Sequence, residues 1–274
     1  MHRSACCVIL LLLPSAACSA GSATIAMAPG TLPAATAGAE PGPVAAATSA
    51  PPPALLLAQA AAPGSDAAEA ARLKRLAADK KDHWAVYNYG KMLQDGKGVP
   101  QDLAGAAAQY VVAAGMGNAW AQYALGDMYL NGTGVATDLA KARELLEKSV
   151  AQSNPWAQLR LGDLYLDGKG VAKDAGKARA LFELSAAQNN DWAQFRLGEI
   201  YLNGNGVPKN HAQGLTYLER AAAAGNSFAQ VSLAELILST DTPRARRLLR
   251  TAADAGNPFA IKRLRDLNNS GGAL

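Results

Sequence analysis

Cysteine is nearly missing from this chain of 274 residues: there are 3, Cys6, Cys7 and Cys18, all close to the start. That excludes a disulfide framework, a paired-cysteine zinc site and a thiol nucleophile from the body of the protein. Aromatic residues make up only 6% of the chain and none precedes Trp84, so the first 83 residues can build little packed core. Histidine is confined to His2, His83 and His211. A strong charge of either sign is also lacking, since 26 Lys+Arg against 22 Asp+Glu leave +4. So small an excess cannot track a run of phosphates, and no nucleic-acid partner is expected. Nor does any apolar run reach the roughly 18 residues that a membrane-spanning helix needs.

What is present begins with an address. Met1-His2-Arg3 carries a positive charge, Ser4 to Leu13 is a short apolar stretch, and Ser15-Ala16-Ala17 leads with small residues into Cys18. This pattern reads as a secretory signal over residues 1–17. Ser-Ala-Ala-Cys resembles a bacterial lipobox, with Ser15 where the pattern prefers leucine; the resemblance implies a lipid on Cys18, and ordinary signal cleavage nearby is the alternative. Residues 18–65 are mostly Ala, Pro, Gly, Ser and Thr, with Glu40 as the one charge. Such a segment buries too little to offset chain entropy, so it is expected to be a disordered tether.

From Trp84 the chain repeats itself every 36 residues: Trp84, Trp120, Trp156, Trp192, and then Phe228. Gly96, Gly132, Gly168 and Gly204 keep that step, as do Gly98, Gly134, Gly170 and Gly206 and the valines 99, 135, 171 and 207. A period of this length predicts stacked helical units. In the second unit Ala121, Leu125, Met128 and Tyr129 fall on one helical face, and Gly132 ends the helix. Asp138 stands where a second helix needs its N-cap, with Asp102, Asp174 and Asn210 in the same place elsewhere. Ala142, Leu146 and Val150 form that helix's inner face.

The motif Leu125-Gly126-x-x-Tyr129-x-x-Gly132-x-Gly134-Val135-x-x-Asp138-x-x-Lys141-Ala142 resembles the Sel-1-like repeat, a branch of the tetratricopeptide-like α-solenoids. It recurs from Leu161-Gly162 and, with Asn210 and Gly214 substituted, from Leu197-Gly198. The resemblance implies an all-α, right-handed solenoid of about five helix-turn-helix repeats with capping helices. The expected division is a capping helix at 66–81, repeats at 82–117, 118–153, 154–189, 190–225 and 226–256, a final helix at 257–268, and a tail at 269–274. The fifth repeat lacks the Gly-x-Gly-Val loop: Phe228 to Phe259 is five residues short of the period.

Little in the repeats reads as chemistry. The Gly-x-Gly pairs follow helices rather than strands, so they are structural turns and not phosphate loops. His83 and His211 each open a helix and are read as exposed. No catalytic group, metal site or cofactor is expected. Asp127, Asp163, Glu199 and Glu235 recur at one repeat position, which suggests a surface ladder, with Arg160 and Arg196 placed for ion pairs three residues away. In relatives that bind or hydrolyse β-lactams the repeats are cysteine-rich, and these are not; a β-lactam-hydrolase-like enzyme is the least favoured reading.

A binding face remains. The resemblance implies that first helices line a concave groove, and the stripe carrying Trp84, Trp120, Trp156 and Trp192 also holds Arg160, Arg196, Asp127, Asp163 and Glu199. Aromatics with arginine make interface anchors. The alternative is that each tryptophan wedges between repeats. The expected function is a non-enzymatic scaffold in the bacterial envelope, holding a protein or peptide in the periplasm and touching a membrane only through its lipid. A saccharide or peptidoglycan binder is the second reading. The segment 241–266, with seven Lys/Arg against three Asp, is a further candidate contact surface.

Overall fold

The computed structural model describes residues 66–270, and Cys18 with the segments expected as signal and tether lies outside them. Among the described residues there are twelve helices and no strands. They are α1 (Asp66–Ala78), α2 (His83–Asp95), α3 (Leu103–Gly115), α4 (Ala119–Asn131), α5 (Leu139–Ala151) and α6 (Pro155–Asp167). After these come α7 (Ala175–Ala187), α8 (Asp191–Asn203), α9 (His211–Ala223), α10 (Ser227–Ile237), α11 (Thr242–Asp254) and α12 (Pro258–Ser270). Each helix packs on the one before it and the one after it in the chain. The even-numbered helices are therefore the first helices of successive units, and the odd-numbered ones from α3 to α11 are the second. The fold class is an all-α solenoid.

Local chemistry fixes the helix ends. Gly96, Gly132, Gly168 and Gly204 close the first helices in the left-handed conformation, with φ of 67 to 74°. The second helices start on side-chain caps. Asp102 Oδ1 accepts from the Gly105 amide at 2.8 Å, Asp138 from Lys141 at 3.0 Å, Asp174 from Lys177 at 2.9 Å and Asn210 from Gln213 at 3.1 Å. Each cap satisfies a backbone donor that the helix itself leaves unpaired. The second glycine of each Gly-x-Gly pair has a different task. A Cβ on Gly134 would strike the Leu103 carbonyl oxygen, and one on Gly170 would lie 2.9 Å from Leu139 Cβ. The loop of one unit thus sits directly on the start of the preceding unit's second helix.

Packing within a unit follows a repeated match of large against small. Tyr110, Leu146, Phe182 and Leu218 are fully buried on the second helices. A Cβ on Gly90, Gly126, Gly162 or Gly198 would meet those same side chains at 2.6 to 3.2 Å. On α4, Ala121, Leu125 and Met128 are buried, together with Gln122, Gly126 and Leu130. Tyr129 is only half-buried, with the Lys141 ammonium 5.5 Å from its ring centre.

The two ends continue the register. Asp66 falls 36 residues before Asp102, and α1 buries Ala70 and Leu73 against the first unit as the second helices do. It stops at Ala78, with Lys80 at φ 48°, short of the residue 81 that the sequence suggests. At the other end α12 runs two residues past Asn268.

Candidate partner-binding face

A row of buried asparagines sets the start of every first helix after α2. Asn118, Asn154, Asn190, Asn226 and Asn257 are buried, and their side-chain oxygens accept backbone amides of the first turn. A neutral amide suits this depth better than a carboxylate, because an uncompensated buried charge is costly. The amide nitrogen then ties one unit to the last: Asn118 Nδ2 lies 2.8 Å from His83 Nδ1, Asn226 Nδ2 donates to Asp191 at 3.0 Å, and Asn257 Nδ2 to Ser227 at 3.1 Å. His83 is half-buried in this contact rather than exposed, which corrects the sequence reading; His211 is exposed. The 36-residue step from Asn118 to Asn226 is present in the sequence, but nothing in it shows that these side chains are buried.

The aromatic row lies just inside those caps. Trp84, Trp120, Trp156 and Trp192 are all half-buried. Trp156 and Trp192 pack against the cluster that contains Leu159, Phe182 and Leu197. The row runs on beyond the tryptophans: the Trp192 and Phe228 rings lie 5.2 Å apart and those of Phe228 and Phe259 6.2 Å. Phe259 keeps 40% of its surface open. The rings therefore both pack and present a face.

The charges on this stripe are placed differently from the sequence reading. Arg160 Nε lies 2.9 Å from Asp127 Oδ1 of the preceding unit, and Arg196 Nε 3.0 Å from Asp163 Oδ1. Arg196 also makes a pair of the expected spacing, to Glu199 at 3.2 Å. Arg263 continues the series by gripping both oxygens of Glu235 at 2.6 and 3.0 Å. The carboxylates do form a ladder, but its rungs join successive first helices. It is also sunk below the surface: the side chains of Asp127 and Asp163 are 13% and 18% exposed.

Burial pushes the Asp163 carboxyl above its ordinary range, against the pull of Arg196 and Arg160. Burial also raises Glu199, opposed by Arg196. One guanidinium serves both acids. Asp127, Arg160, Asp163 and Arg196 thus join successive units, and the two arginines, 33% and 32% exposed, share the open surface of the stripe with the half-buried rings.

Elsewhere the described residues hold no group of three or more His, Cys, Asp and Glu that could bind a metal. The basic C-terminal segment is partly engaged within the fold, through Arg244 to Glu219 at 3.0 Å, Arg246 to Asn268 at 3.1 Å, and Arg263.

Comparison with known proteins gives the same architecture. The chain is 31% identical to a Sel1 repeat protein from Oxalobacter formigenes, over 68% of this chain and 78% of that one, with a TM-score of 0.64. A Sel1 repeat protein from Klebsiella pneumoniae matches at 18% identity over 73% and 99%, TM-score 0.52. An immunity protein from Pseudomonas aeruginosa, Pa5087, matches at 21% over 65% and 67%, TM-score 0.50. The last two show the fold alone. No curated protein matches. The Sel1 repeat model fits residues 85–114, 121–154, 157–190, 193–226 and 233–257, more than half of the chain. Proteins of this kind are generally protein-interaction scaffolds and typically not enzymes. With five matched repeats and the same helical units in the structure, the chain belongs to the Sel1 repeat family.

Proposed function

We propose that this protein is an exported, lipid-tethered scaffold of the bacterial envelope that holds a protein or peptide along its first helices. The observation that carries this reading is the aromatic row. Rings stand at one position of six consecutive first helices, and all are partly open. Half-buried aromatics anchored by their own packing lose little freedom when a partner covers them, which suits them to be interface anchors. Lipid on Cys18 followed by a tether of some 45 residues would let the solenoid reach roughly 40 Å from a membrane by random-coil scaling.

Two experiments test the two parts. Capture from envelope extracts should identify a protein whose retention falls about thirtyfold in Trp120→Ala or Trp156→Ala, the effect of removing an anchor worth about 2 kcal/mol. Melting curves accompany each variant, since Trp156 also packs in the core. Full capture of the same partner by a folded Trp120→Ala, Phe259→Ala double variant would remove the aromatic row from the site; retention on a glycan matrix alone would favour a saccharide. Separately, Cys18→Ala should move the protein from the membrane fraction to the soluble one. A parent chain that is already soluble after gentle lysis defeats the anchor.

A further inference from the structure

The charge ladder of the first helices misses one rung. A carboxylate of one helix takes the arginine that stands 33 residues on, Asp127 with Arg160 and Asp163 with Arg196, and across the short unit Glu235 takes Arg263. Between α8 and α10 the arginine's place, 33 residues after Glu199, is held by Ser232. A serine side chain ends at a hydroxyl next to Cβ and carries no charge, so it cannot stand in for a guanidinium. Glu199 takes Arg196 of its own helix instead, at 3.2 Å, and that arginine also serves Asp163. Two acids thus share one cation, and the Glu199 side chain is 23% exposed. The joint between α2 and α4 leaves no acid short in this way, because Lys91 holds the carboxylate place and Ala124 the arginine place.

The gap lies on the aromatic stripe. Ser232 is one helical turn beyond Phe228, and Arg196 and Glu199 follow Trp192 on α8. The Trp192 and Phe228 rings are 5.2 Å apart, and both are half-buried. With the aromatic row as the binding face, the reading on which this step rests, we propose that the vacant rung receives an arginine side chain of the bound protein or peptide, its guanidinium on Glu199 and its aliphatic stem along Trp192 and Phe228. The chemistry of the two surfaces selects that residue. A guanidinium is planar and weakly hydrated, pairs with a carboxylate through two hydrogen bonds, and packs its stem and face on aromatic rings. A half-sunk carboxylate that is short of positive charge gains from an incoming cation. Residues 4–65 and 271–274 contain no Lys or Arg, so a covering of this face by those segments would still leave the rung without its cation.

The test selects displayed random peptides on the full-length chain, then compares a retained arginine peptide with its citrulline analogue, which keeps the shape and lacks the charge. Peptides retained by the parent chain should be enriched in arginine, and citrulline should weaken binding about tenfold or more. Glu199→Gln should bring the two affinities to within about twofold of each other. Ser232→Arg supplies the rung from the chain itself, as Arg160 and Arg196 do elsewhere, and should erase the arginine preference while melting no lower than the parent. No enrichment of arginine by the parent chain, or a full citrulline penalty in either variant when folded, would overturn the assignment. Trp156→Ala reports on the row itself and should weaken both peptides by the same factor. Unchanged affinity for both peptides in that variant would sink the aromatic row as the binding face, and the citrulline ratio would still decide the rung.

Discussion

Arg196 is held between two carboxylates, Asp163 of the unit before it at 3.0 Å and Glu199 of its own helix at 3.2 Å. Its removal leaves Asp163 buried without the guanidinium that lies 3.0 Å from it. Arg196→Ala should therefore lower folding stability by about 1–3 kcal/mol, the range for a buried polar group stripped of its partner. Lys148→Ala, which breaks the exposed pair with Glu144, should leave the melting temperature unchanged within error. Equal effects of the two changes on thermal unfolding would mean that the cross-unit rungs carry no stability.

The same pair sets a pH dependence. Asp163 and Glu199 both titrate above the ordinary carboxylate range in the folded chain. The folded state then binds protons more tightly than the unfolded one, so stability from these groups is present at low pH. It is lost as the pH climbs from about 4, where unfolded carboxylates titrate, through the raised values. Asp163→Asn should lose less stability than the parent between pH 4 and pH 7 in denaturant titrations. A steeper loss in the variant would reverse the sign assigned to this site.

Ala119 stands where His83, Asp191 and Ser227 receive the capping asparagine of the following unit. Asn154 Nδ2 accordingly finds no hydrogen-bond partner among the described residues. Ala119→Ser supplies one and should raise stability by about 0.5–1.5 kcal/mol, the usual net value of such a bond. Asp191→Ala should cost a similar amount by stranding Asn226. Unfolding midpoints of the two variants shifting in the same direction would show that this tie between units contributes nothing.

Gly134 and Gly225 separate backbone strain from close approach. Both have positive φ, 70° and 96°, but a Cβ on Gly225 meets nothing within 4 Å while one on Gly134 would strike the Leu103 carbonyl. Gly225→Ala should cost about 1–2 kcal/mol for the left-handed conformation alone. Gly134→Ala should cost a further 1–3 kcal/mol or so, since the preceding helix must shift. Calorimetric melts that rank the two equally would put the loop away from that helix.

The helices and their caps were legible because each depends on neighbours in the chain. Gly132 follows its helix directly, and Asp138 caps an amide three residues on. The rungs of the charge ladder were not legible in the same way. Arg160 and Asp163 are one turn apart on paper, whereas Asp127 is 33 residues back and comes into reach only when two first helices lie side by side. His83 was misread for the same reason, since its partner Asn118 is 35 residues away. The tryptophans carried a true periodic signal, but spacing alone could not divide each ring between packing and exposure.

The shortened α10 shows what holds the register. Within full-length units an arginine and its carboxylate are 33 residues apart, and a capping asparagine and its partner 35. Across the short unit the same contacts, Arg263 to Glu235 and Asn257 to Ser227, span 28 and 30 residues and still close at 2.6 and 3.1 Å. Two residues have gone from the end of the helix and three from the connection after it, and none of the loss reaches the joints on either side. The inter-helix turn of such a unit behaves as slack in the chain: it can be trimmed, and by the same reasoning lengthened, without the helices on either side losing count. A foreign peptide spliced between Ser239 and Asp241 would hang from an array whose joints stay in step.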